Sequence, residues 1–88
     1  MAIYVVAYDL NKETKRPNIT GEVKKTAYAK LSESSYAIDT TETPEQVHAR
    51  FKPHLDANDD FYVLTLKKPW TGYGPKDVIA WLQQRLGS

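Results

Sequence analysis

A single α+β domain is what this sequence predicts, on three observations. Two apolar, β-forming runs, Ala2 to Tyr8 and Phe61 to Leu66, bracket the chain, and the segment from Thr43 carries an unmistakable helix start. Between and beyond them, short strand-like and helical stretches alternate without a repeat, a low-complexity tract or a linker. The 88 residues have room for one hydrophobic core, so residues 1–88 are read as one unit.

The first run has Ile3, Val5 and Ala7 facing one way and Tyr4, Val6 and Tyr8 the other, so both of its faces need cover. Asp9-Leu10-Asn11 ends it, and Lys12 to Pro17, polar and without periodicity, predicts a flexible loop. Asn18 or Thr20 then caps a short helix reaching about Thr26, with Ile19 and Val23 one turn apart. Tyr28 to Leu31 fits either a continuation of that helix or a short strand. Turn chemistry at Ser32 to Ser34 favours the strand, followed by a second at Ser35 to Thr40.

Thr43-Pro44-Glu45-Gln46 combines an N-cap hydroxyl, a proline in the first turn and a glutamine placed to complete a capping box. Val47, Phe51 and Leu55 recur on one face of the helix it starts, which Pro53 should end near Lys52. Asp56 to Asp60 is a polar turn before the strand at Phe61 to Leu66; Trp70 to Gly74 is a loop, and Pro75 opens a last helix that stops at Gly87. Strand, helix, strand, strand, helix, strand is the ferredoxin-like split βαβ pattern (βαββαβ), here with an additional C-terminal helix. Two helices cover one face of such a sheet. The other face, apolar in two of its strands, requires a second copy of the chain, the final helix, or nucleic acid stacking on tyrosines.

Composition narrows the chemistry. A hydrophobic share of 41% with 26% charged residues is that of a globular protein, and no apolar run reaches the length of a membrane span, so the expectation is an intracellular, cytoplasmic protein with no membrane partner. The absence of cysteine removes disulfides, thiolate catalysis and the usual zinc sites, leaving oxygen or imidazole ligands and favouring Mg2+ or Mn2+. The net charge of +1 hides a segregation: residues 12 to 30 carry six basic and two acidic side chains, residues 39 to 60 six acidic and two basic, and the balance is basic again from residue 67. Such segments can turn a positive face to phosphate.

Asp9 is the first candidate for a chemical role, as a carboxylate at the end of a buried strand with a basic loop after it. It can bind a divalent cation and activate water, or it can accept backbone N–H groups as the chain leaves the sheet. Lys12, Lys15, Arg16, Lys24 and Lys25, with Lys30, are candidate phosphate contacts. His48 and His54 do not share a helix face, and Asp56, Asp59 and Asp60 lack the glycine and terminal glutamate of a calcium loop. The strand at Ser35 to Thr40 also lacks the basic and aromatic pattern of an RNA-recognition platform.

Read together, Tyr8-Asp9 after the apolar first strand, Ser35-Tyr36 opening a central strand, Thr43-Pro44 and Asp59-Asp60 resemble the small CRISPR-associated Cas-two family. The Tyr-Asp-Leu-Asn start at Tyr8, the Leu-Asp-x-Asn-Asp turn at Leu55 and the Trp-x-Gly at Trp70 resemble its SinR-like branch. The resemblance implies a ferredoxin-like homodimer. In some members it implies metal-dependent cleavage of RNA or DNA by the aspartate at the end of the first strand, matched by Asp9, and in others a scaffold that holds duplex DNA without cutting it; the alternative for this chain is a noncatalytic nucleic-acid- or protein-binding adaptor dimer that keeps only the fold.

Overall fold

The computed structural model describes residues 2–87. Its elements are β1 (Ala2–Asp9), α1 (Arg16–Val23), β2 (Ala27–Ser32), β3 (Ser35–Thr40), α2 (Pro44–Phe51), β4 (Asp60–Thr65) and α3 (Lys76–Leu86), with single 3-10 turns at Glu13–Lys15 and Lys52–His54. The four strands form one antiparallel sheet in the order β2-β3-β1-β4. This is the ferredoxin-like arrangement, with α3 as the appended helix. Among the described residues no helix is long and apolar enough to cross a membrane.

Alternation along β1 sorts its side chains between two unlike faces. Tyr4, Val6 and Tyr8 point toward α1 and α2 and join Ile19, Val23, Tyr36, Ile38, Val47 and Phe51 in the core. Phe51 is fully buried and stacks on Phe61 with ring centroids 4.8 Å apart. The capping box forms as the sequence requires: the Thr43 hydroxyl accepts from the Gln46 N–H at 3.2 Å, and the Gln46 side chain accepts from the Thr43 N–H at 2.8 Å. Pro53 falls in the 3-10 turn that closes α2, where its missing N–H costs no helical bond.

The first helix departs from expectation. The stretch Lys12 to Pro17 is not a free loop: a 3-10 turn runs straight into α1, which starts at Arg16 with Pro17 in its first turn and stops at Val23. Proline suits that position because its φ is already helical and its nitrogen has no hydrogen to leave unpaired. The chain is held there from a distance. Lys15 forms ion pairs with Asp56 and Asp59, and Arg16 pairs with Glu13 and donates to the Glu33 carbonyl.

An ionic knot ties the two core helices. Arg50 of α2 forks onto Glu42 through Nε at 2.8 Å and Nη2 at 2.9 Å, while its Nη1 reaches both the Glu22 carboxylate and the Glu22 carbonyl at 3.0 Å. Lys25 and His54 also contact the Glu22 carboxylate.

Of the alternatives for the second sheet face, the final helix takes part of it. Leu82 of α3 is buried, Arg85 pairs with Asp39 of β3 at 2.9 Å, and Trp70 donates from its indole N–H to the Gly87 carbonyl at 2.7 Å. Gly87 sits at φ 83, a conformation that glycine adopts without strain. A cavity of about 280 Å³ remains between α3, the 70–75 loop and the sheet, lined largely by Val5, Leu31, Trp70, Ile79 and Leu82. Cover ends there: Tyr62 and Leu64 of β4 remain 57% and 55% exposed, and Tyr73 is fully exposed.

Candidate functional site

Asp9 occupies the last position of β1 and is exposed. Its partner in the ladder with β4 is Asp60, also exposed. Directly opposed residues of an antiparallel pair project to the same side of the sheet, so the two carboxylates face the side that carries Val5, Ala7, Tyr62 and Leu64. Like charges in that relation repel each other, and both stay exposed among the described residues. No cluster of three or more histidine, aspartate or glutamate side chains able to hold a metal occurs among the described residues.

The backbone beneath Asp9 is fixed by a second acidic residue. The Asp59 carboxylate has no exposed surface and accepts from the Asn11 N–H at 2.7 Å, the Asp56 N–H at 2.9 Å and the Lys15 ammonium at 2.7 Å. Three donors on one carboxylate stabilise its charged form. The Asn11 N–H, followed by Lys15 and the Asp56 N–H, lowers the Asp59 carboxyl to about 2. Lys15 also pairs with Asp56, whose carboxyl that contact lowers. The chain leaving β1 and the chain entering β4 are thus tied together just beyond Asp9 and Asp60.

That tie changes the standing of the basic segment. Lys15 is committed to Asp56 and Asp59, and Arg16 is committed to Glu13 with its guanidinium 5.7 Å from the Tyr8 ring centre. Lys25 pairs with Glu22 at 3.0 Å and Lys30 with Glu33 at 3.3 Å. Of the five candidate phosphate-binding residues, Lys12 and Lys24 alone are exposed without a carboxylate partner among the described residues.

Sequence reasoning singles out Asp9 but reads Asp60 only as part of a turn. The register that opposes them is a property of the paired strands, and the run Asp59-Asp60 before an apolar strand is the sole local signal. The basic side chains around Thr65 to Lys68 show in the sequence only as a charge balance. They gather with Arg85 because α3 folds back over the sheet.

A solved structure shares this fold. Hypothetical protein TT1823 from Thermus thermophilus superposes with a TM-score of 0.67 at 22% identity, covering 84% of this chain and 94% of its own. At that identity the likeness shows the fold alone. No protein-family model and no curated protein matches the chain.

Proposed function

We propose that this chain acts on nucleic acid as a homodimer, as a Cas-two-like metal-dependent endonuclease whose catalytic residue is Asp9. The observation that carries the reading is the opposition of Asp9 and Asp60 on the uncovered side of the sheet. Mg2+ is commonly held by one or two carboxylates together with water and substrate phosphate, and Mn2+ accepts the same oxygen ligands, so this donor set fits such an ion. The ion would supply charge neutralisation at the scissile phosphate and a more acidic bound water. Asp9 and Asp60 would hold it. The Asp59 junction, which ties the ends of β1 and β4 through Asn11 and Lys15, would hold the two carboxylates in register.

Dimerisation belongs to the same reading. Tyr62 and Leu64 lie on the side of the sheet that Asp9 faces, and isologous pairing there would bury them and bring a second Asp9 to the site. Light scattering over a concentration series is expected to return twice the chain mass; a monomer mass at every concentration would remove the dimer.

The decisive experiment is a cleavage assay on RNA and duplex DNA with Mg2+, Mn2+ or chelator, run beside Asp9→Asn. Wild type is expected to cleave slowly and only with metal. Asp9→Asn, which removes one negative charge at nearly constant shape, is expected to lose at least about 100-fold in rate, corresponding to about 2.7 kcal/mol of barrier, while melting no earlier than wild type because its repulsion with Asp60 is relieved. A metal-dependent rate that persists in Asp9→Asn would move the site elsewhere. No cleavage by wild type with any metal would leave the noncatalytic adaptor dimer as the function.

A further inference from the structure

The opposite end of the sheet holds a second charged feature. At the start of β1 a groove of about 470 Å³ is lined by Thr65, Lys67, Lys68 and Arg85 over an apolar floor that includes Ile3 and Leu86. Lys67 and Lys68 are exposed, and neither pairs with a carboxylate among the described residues. Arg85 is held on two sides: its Nε donates to Asp39 at 2.9 Å, and its guanidinium lies over the Trp81 ring at 4.1 Å from the centroid. That posture fixes the plane of the guanidinium and leaves its Nη groups without a protein acceptor among the described residues. Among the described residues no aspartate or glutamate lines the groove and Asp39 is the one carboxylate paired with its cations, so those residues give it a net positive charge.

We propose that this groove is the contact surface for a nucleic-acid phosphate backbone, a role that rests on the nucleic-acid reading above and relocates its binding surface. The basic segment at residues 12 to 30 has four of its six cations neutralised within the chain, whereas this groove brings together two ammonium groups unpaired among the described residues and a pre-oriented guanidinium. All are donors suited to phosphate oxygens. An acidic protein segment would meet the same charge, and competition by polyglutamate separates it from nucleic acid. Asp9 lies seven residues along β1 from Ala2, roughly 23 Å away at strand rise, so binding and cleavage are separable by mutation.

The test is fluorescence anisotropy of labelled single-stranded and duplex oligonucleotides, titrated at several salt concentrations. The charge reversal Lys67→Glu with Lys68→Glu is expected to weaken binding at least tenfold near 0.1 M salt. Because two phosphates are then no longer neutralised, it should also reduce the log–log salt slope on duplex DNA by about 1.8. The charge-preserving pair Lys67→Arg with Lys68→Arg is expected to bind like wild type, and both variants to melt like it. Unaltered affinity and slope in the folded charge-reversed protein would overturn the groove assignment while leaving the nucleic-acid reading in place. Failure of wild type to bind any oligonucleotide would overturn both. Displacement of oligonucleotide by polyglutamate at matched charge, as readily as by unlabelled DNA, would make the groove a site for acidic protein segments and overturn the assignment.

Discussion

Phe51→Ala is expected to lower the unfolding free energy by about 3–5 kcal/mol, the range measured for deleting a buried aromatic ring. Phe51 has no solvent exposure, sits among the nine buried side chains of the core and stacks on Phe61 at 4.8 Å. Its removal therefore takes away transfer free energy and also leaves a void that the facing strands β1 and β4 cannot close, since their ladder fixes the backbone. A domain of this size has a total stability toward the low end of roughly 5–15 kcal/mol, so the variant should unfold at markedly lower urea and melt at least about 12 °C earlier. A midpoint within error of wild type would mean that Phe51 does not hold the helices to the sheet.

Arg50→Met is expected to cost about 2–3 kcal/mol at pH 7, somewhat less than the loss from a fully buried ion pair because the side chains retain partial exposure. Methionine fills similar length but leaves two carboxylates facing each other without the cation that joined them. The effect should depend on pH. The Arg50 hydrogen bonds, opposed by burial, lower the Glu42 carboxyl; at Glu22 burial acts upward but is outweighed by bonds from Lys25, Arg50 and His54. Carboxyls lowered on folding contribute stability that is fully present above their ordinary value of 4.5 and is lost as pH falls through their depressed folded values. Wild type should thus lose this contribution in acid, and the deficit of Arg50→Met should shrink there. Urea unfolding at pH 7 and pH 3.5 checks it; an equal deficit at both would separate Arg50 from the two glutamates.

The strands and α2 were legible because their signals are local. The unbroken apolar, β-forming run at Ala2 to Tyr8 and the capping box at Thr43 to Gln46 each operate within a few residues. The start of α1 was not, because Ile19 and Val23 are its only buried residues and the rest of the helix is polar or small all round. Its position depends on Lys15 meeting Asp56 and Asp59, more than forty residues away. The same distance explains the reading of the site. Asp9 was visible as a carboxylate ending a strand, but its opposition to Asp60 appears only once β1 and β4 are in register, and a lysine in a string gives no sign of whether a carboxylate will fold onto it.

The last helix lies outside the βαββαβ unit, and the side chains with which it meets the sheet are mostly half-buried, Leu82 being its one buried residue. Free energy for detaching such an element is smaller than that for disassembling the core, and the two processes are not obliged to coincide. Thermal fluctuations can therefore lift α3 while the sheet stays intact, separating Arg85 from Asp39 and uncovering Ile3. The spread between slow amide exchange in β1 and faster exchange in α3 would measure how far this chain departs from a single all-or-none transition.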